Sequence, residues 1–253
     1  MPRLRFDDRA IEPRAILFDK DGVLLDFPFF WHRMIEQRIQ RVADAFPLSA
    51  EDRTLLLEAL GITNGKVEPH GPLVMASKSE SVTITASFLY QRGLPWVKAR
   101  EIGQQSVVQA EGDLKLEDLV KPTPRLVEAF RSLSEAGFLL GIATTDDKKN
   151  TEELLDFLGL SPLIGSVVGS DRVARGKPHP DMIELAGLEL GVHPSEAVMV
   201  GDGVNDLIMG RNAGTLGTLG VLTGVTTHAE LAPHADWILP AAGDLLDHLD
   251  HLG

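Results

Sequence analysis

The chain has 253 residues, a hydrophobic fraction of 43%, and 24 Lys and Arg against 37 Asp and Glu, a formal charge of −13. That composition supports a buried core, in one large domain or in a domain carrying an insertion. The acidic balance argues against nucleic-acid and anionic-lipid partners, both of which call for a basic face. With no cysteine, disulfides, thiol catalysis and cysteine-based zinc sites are excluded. The N-terminal MPRLRFDDRAIEPRA does not resemble a signal peptide, and no apolar run approaches the roughly 18 residues of a membrane span. A cytoplasmic location is the default expectation.

In chain order, the first strand signal is Ala15–Phe18 (AILF). Further short apolar runs follow at 138–143, 166–168, 197–200, 218–222 and 237–239. They are continuous rather than alternating, as in strands covered on both faces. Helical patterns lie between them. The stretch 125–136 places Leu126, Val127, Phe130 and Leu133 on one face, with Gly137 as its stop. The stretch 151–158 starts from Thr151 or Asn150 as N-cap. Helices over 181–190 and 205–212 complete a strand–helix alternation, which predicts an α/β, doubly wound parallel sheet.

Residues 29–120 break that rhythm. They read as amphipathic helix at FFWHRMIEQRIQRVADAF, EDRTLLLEALG and 80–119, with a Gly/Pro-rich loop at 61–72. The expected organisation is a core of 1–28 and 121–253 with a helical insert of 29–120. Phe27, Phe29, Phe30 and Trp31 are expected to pack the hinge between them.

Ligands of an open parallel sheet bind at the carboxyl ends of its strands. The first strand is followed by Asp19-Lys20-Asp21-Gly22, the second by Thr144-Thr145-Asp146-Asp147, and the run at 197–200 by Gly201-Asp202-Gly203-Val204-Asn205-Asp206. Gly176-Lys177-Pro178 adds a cation ahead of a helix. Each piece alone reads as a turn, a cap or a solvated charge. Their recurrence at strand ends, in this order, makes those readings improbable together. A calcium loop is rejected. Started at Asp19, it puts Leu24 where glycine is required and Phe30 where glutamate is required, and started at Asp202 it puts Leu207 at the glycine.

Four segments, DKDGVLLD at 19–26, IATT at 142–145, GKPHPD at 176–181 and GDGVNDLIMGRNAG at 201–214, resemble in order the motifs of the haloacid dehalogenase-like hydrolase superfamily. GSDRVARGKPHPDM and GVLTGVTTHAELAPHADWILP are similar to its phosphoglycolate-phosphatase-like branch. The resemblance implies a Rossmann-like core with a helical cap inserted after the first strand. It implies a Mg²⁺-dependent phosphatase for a small phosphorylated metabolite, a phosphoglycolate-like or sugar-phosphate-like monoester. Asp19 would be the nucleophile and Asp21 the general acid and base. Thr144 and Lys177 would also be catalytic, Thr144 hydrogen-bonding the transferring phosphoryl group and Lys177 neutralising its charge and holding Asp19 ionised, and Thr145 would join them in binding substrate. Asp19, Asp21 (through its carbonyl) and Asp202 would hold the metal, with Asp206 orienting its water from behind.

The presence of Asp21 favours phosphoryl transfer over dehalogenation. Val23 and Thr145 depart from the Thr and Asn frequent there, and neither removes a catalytic group. Asp26, Asp146 and Asp147 read as turn, cap or solvated residues, and His179 as a minor candidate for substrate contact. In the insert, where the resemblance puts specificity, His32, Arg33, Lys66, His70 and Lys78 are possible anion contacts. A phosphomutase with the same core and a catalytically silent binding module are the alternatives. Substrate identity and oligomeric state are not legible.

Overall fold

A computed structural model of the chain describes residues 2–7, 9–68, 71–113 and 115–250. Strands β1 (Leu4–Phe6) and β2 (Arg9–Ile11) form an antiparallel hairpin, and β3 (Ala15–Phe18) follows. The helices α1 (Phe27–Ala45) and α2 (Ala50–Ala59) come next. Then come the two-residue strands β4 (Ile62–Thr63) and β5 (Lys66–Val67), and helices α3 (Pro72–Met75), α4 (Lys78–Gln91), α5 (Trp96–Asp113) and α6 (Leu116–Leu119). The remaining elements are α7 (Leu126–Glu135), β6 (Leu139–Ala143), α8 (Lys148–Leu158), β7 (Ile164–Val168), α9 (Asp181–Leu190), β8 (Ala197–Gly201), α10 (Val204–Ala213), β9 (Gly217–Val221), α11 (His228–Leu231) and β10 (Trp237–Leu239).

The chain divides into two units, Met1–Phe27 with Pro122–Gly253, and Pro28–Lys121. The first is built on a six-stranded sheet in the order β10-β9-β8-β3-β6-β7, with every pairing parallel. This is the α/β, Rossmann-like architecture. All four residues of β3 are buried, as are all five of β8 and of β9. The continuity of their apolar runs follows from helices covering both faces. One face packs Ile16, Phe18, Phe130, Leu133, Val198 and Val200, and the other Leu17, Met182, Ile183, Ala186 and Met199.

Register decides what meets at the sheet's edge. Phe18 of central β3 pairs with Ile142 on one side and Val200 on the other. The residues that follow these three strands therefore emerge at one level.

The second unit has its own core, drawn from Ile35, Ile39, Val42, Leu56, Leu60, Phe88 and Leu89. Helices α2 and α4 begin with capping boxes, Ser49 with Asp52 and Ser77 with Glu80. Each satisfies helix-end N–H groups that have no partner within the helix.

Several expected details differ. Helix α8 starts at Lys148 with Asp147 at its N-cap, so neither Thr151 nor Asn150 caps it. Thr151 is buried and donates its hydroxyl to the Asp147 carbonyl at 3.0 Å. The stretch 80–119 is broken between α4 and α5 by a turn at Arg92-Gly93, where Gly93 takes a left-handed φ of 91°, and Pro95 disfavours helical backbone at Leu94 before it. The loop at 61–72 contains the tight β4–β5 hairpin. The N-terminal hairpin had no counterpart in the sequence reading. Its Phe6 is buried and stacks on Trp237 at 4.5 Å and His248 at 4.6 Å. No helix among the described residues is long and apolar enough to cross a membrane.

Candidate active site

The Asp19 amide donates to the Val200 carbonyl at 2.9 Å, continuing the β3–β8 ladder one residue past Phe18. This fixes the Asp19 backbone at the carboxyl edge of the sheet. Gly22 then turns the chain at φ 73°, where a Cβ would be strained and would fall 2.4 Å from Asp202 Oδ2.

Lys177 supplies the site's central cation. Its Nζ lies 2.7 Å from Asp19 Oδ1 and 2.6 Å from Asp206 Oδ1, and its side chain is 5% exposed. Burial opposes the lysine's charge, but the two carboxylates outweigh it and hold Lys177 protonated well above neutral pH. Asp206 is buried on the first turn of α10, where its second oxygen accepts the Gly203 amide at 3.0 Å. Placement is therefore tight: a Cβ on Gly201 would sit 2.2 Å from the Asp206 Cβ.

Oxygens of Asp19, Asp202 and Asp206 all lie within 4.8 Å of one another. Burial pushes the Asp19 carboxyl up to about 6, with Lys177 pulling it back. Asp202 is pushed well above the usual carboxylate range, first by burial and then by Asp19 and Asp206. Asp202 makes no ion pair among the described residues. Three carboxylates against one ammonium leave an excess of negative charge that a hard, oxygen-seeking cation would relieve, so the donor set fits Mg²⁺.

A second ion cluster adjoins the first. Lys20, with a side chain 10% exposed, places Nζ 2.8 Å from Asp21 Oδ1 and 3.1 Å from Asp146 Oδ2. Burial pushes the Asp21 carboxyl up, and Lys20 opposes it. Asp146 lies below its ordinary value although burial acts against this, because Asn150 and Lys20 stabilise its charge. Thr144 is fully buried, donates its amide to the Val168 carbonyl at 3.0 Å, and accepts the Asp146 amide on Oγ1 at 3.2 Å.

Asp19, Lys177, Asp202 and Asp206 thus converge on one cluster. Asp21 and Thr144 are joined through Lys20 and Asp146. Thr145 is exposed, and so is His179. Asp147 is exposed at its cap position, and Asp146, in the bend before it, is partly exposed and pairs with the shielded Lys20. In the helical unit, the two ring nitrogens of His32 lie 2.9 Å from the Pro28 carbonyl and 2.7 Å from the Gly65 carbonyl. Arg33 bonds the Asp118 carbonyl and Glu36. His70 lies outside the described residues.

Sequence reasoning missed Lys20 and the loop after β9. There Thr223 donates its hydroxyl to the Gly22 carbonyl at 2.5 Å, and a Cβ on Gly224 would fall 1.7 Å from Asp202 Oδ2. The lysine between two aspartates in DKD was the available signal. Nothing local marks Thr223 or Gly224.

A parallel sheet with an acid–lysine centre at its carboxyl edge defines a class of α/β enzyme-like folds built around Asp19. A family model described as haloacid dehalogenase-like hydrolase matches residues 13–214, and the chain belongs to that family. It is 30% identical over 216 residues to the probable phosphatase IndB of Dickeya dadantii, across 85% of this chain and 84% of that one. It is 35% identical over 143 residues to pyrophosphatase PpaX of Bacillus velezensis, across 56% of this chain, and there it spans 65% of the relative's own length. The structure of a predicted phosphoglycolate phosphatase from Haemophilus somnus 129PT matches with a TM-score of 0.66 at 19% identity, across 94% of this chain and 98% of that one.

Proposed function

We propose that the chain is a Mg²⁺-dependent phosphatase hydrolysing a small phosphate monoester through an aspartyl-phosphate on Asp19. One observation carries this reading. Lys177 is buried between Asp19 and Asp206, with Asp202 completing a carboxylate cluster at the carboxyl edge of the sheet.

In the first step an Asp19 oxygen attacks phosphorus as the bond to the leaving oxygen breaks. The Asp21 carboxyl gives that oxygen its proton. In the second step the Asp21 carboxylate takes a proton from water. The water oxygen then attacks phosphorus, and the bond to Asp19 breaks to release phosphate. Lys177 keeps Asp19 ionised and balances charge on the phosphoryl oxygens, and Thr144 and Thr145 supply donors. Asp206 holds Lys177 in place and would stand beside the bound cation. Mg²⁺, held by the Asp19 and Asp202 carboxylates and the Asp21 carbonyl, would neutralise negative charge as the phosphoryl group transfers.

Substrate selection is assigned to the helical unit, which acts as the cap. The acidic balance, a formal −13, argues against nucleic acid and anionic membrane as partners, and a small anionic substrate has to be drawn in locally, by Lys177 and the cation, against that overall field. Names of the relatives justify including pyrophosphate beside phosphoglycolate and sugar phosphates in a screen for phosphate release.

The decisive variant is Asp19→Asn, near in shape but without a nucleophilic carboxylate. Turnover is expected to vanish with the circular dichroism spectrum unchanged. Activity within about tenfold of the parent, roughly 1.4 kcal/mol in barrier, would move the chemistry elsewhere.

A further inference from the structure

We propose that Lys20 is a positioning residue for Asp21, acting as a tie between the first strand end and Asp146 at the second. The proposal rests on the reading of Asp21 as acid and base.

The geometry is specific. The Lys20 ammonium is shielded from water and shared between two carboxylates, at 2.8 Å from Asp21 and 3.1 Å from Asp146. Asp146 is itself held from several sides. Its Oδ1 accepts the Asp147 amide at 2.7 Å and the Asn150 side-chain amide at 3.0 Å. Its own amide donates to Thr144 Oγ1, and its carbonyl accepts the Ser170 amide at 3.0 Å. Asp146 is therefore a fixed post on the β6 edge, and Lys20 transmits that fixity to the neighbouring strand end.

Asp21 needs such help. Its side chain is 34% exposed, whereas that of Asp19 is 11% exposed and braced by Lys177. An acid that gives and retakes one proton works only when it stays within hydrogen-bond reach of the reacting oxygens. A carboxyl exposed over a third of its surface and free to change rotamer would spend much of its time elsewhere.

A double-mutant cycle read by single-turnover kinetics, at saturating alkyl or aryl phosphate, separates this role from mere stabilisation. A poor alkoxide leaving group needs the proton, whereas a nitrophenolate scarcely does. Lys20→Met is expected to slow the alkyl ester by about tenfold or more beyond the aryl ester, and to add less than about twofold in an Asp21→Asn background. Lys20→Arg should recover most of the loss. Asp146→Asn, which keeps the lysine, should give a smaller loss with the same preference, and it decides the matter with Lys20→Arg if Lys20→Met does not fold. Equal slowing of both esters, or an undiminished effect on top of Asp21→Asn, would overturn the positioning role. If Asp21→Asn alone fails to discriminate the esters, the acid role falls and takes this proposal with it. If Asp21→Asn discriminates and Lys20→Met does not, only the positioning role falls.

Discussion

Asp202 shows how much a single side chain depends on what its neighbours lack. Its carboxylate is flanked by Gly22 on one loop and Gly224 on another, and a Cβ on either would overlap it, at 2.4 Å and 1.7 Å from Oδ2. Gly22 carries a second constraint, its left-handed backbone. Gly224 is the cleaner probe, since there only the space is at issue. Gly224→Ala forces the carboxylate or the loop to move. Displacing an outer contact of a metal-binding group typically costs about 10–100-fold in metal affinity or activity. We expect a loss of that size, accompanied by a raised Mg²⁺ requirement. A phosphate-release assay titrated with Mg²⁺ checks it, and unchanged kinetics would mean that Asp202 is not held by this wall.

At the scale of elements, the strand register sets the site and the helices hold the register. Helix α7 presses Phe130 onto Phe18, the last residue of β3, with ring centroids 4.5 Å apart and both side chains fully buried. Phe18 is covalently next to Asp19, so this packing borders on the chemistry without taking part in it. Truncating a buried phenylalanine removes its transfer energy and leaves a cavity, at a typical cost of about 3–5 kcal/mol. Phe130→Ala should destabilise the Asp19-bearing unit by that amount in denaturant unfolding. A shift below about 1 kcal/mol would mean that the core collapses to fill the gap. The strand cores were readable because AILF and AVMV are continuous apolar runs, and 181–190 is the helix read from sequence. The start of α8 was only partly readable: Asp147, its N-cap, was among the cap readings, but several polar residues from 146 to 151 are all plausible caps, and the helix was started later at Thr151 or Asn150. The N-terminal hairpin was not readable either. Three-residue strands carry too little periodicity, and Phe6 is buried through Trp237 and His248, more than 200 residues away.

For the whole molecule, a small part of the acid excess lies buried where a cation is expected. Asp19, Asp202 and Asp206 share a 4.8 Å cluster whose ion pairing comes from Lys177 alone among the described residues. Mg²⁺ should therefore stabilise the fold by mass action, by about 2.7 kcal/mol at a hundredfold excess over Kd. Thermal unfolding with and without Mg²⁺ measures this independently of turnover. Asp202→Asn should raise the metal-free melting temperature, because it removes one of three crowded charges, and should abolish the Mg²⁺-dependent increment. An increment equal to that of the parent would place the ion elsewhere.

The sequence by itself determined the alternation of elements in the sheet-bearing part, the family, and the residue types at each strand end. These are local properties, carried by apolar runs, breakers and short motifs. Tertiary structure alone decided the remaining pairings: that Lys177, expected beside Asp19, is shared with Asp206, that Lys20 joins Asp21 to an Asp146 read from sequence as a turn, cap or solvated residue, and that Gly224 makes room for Asp202. The reason is physical. A carboxylate's partner is set by strand order and register, which bring residues 19, 146, 177 and 202 to one edge, and those long-range relations leave no mark on the residues beside them in the chain.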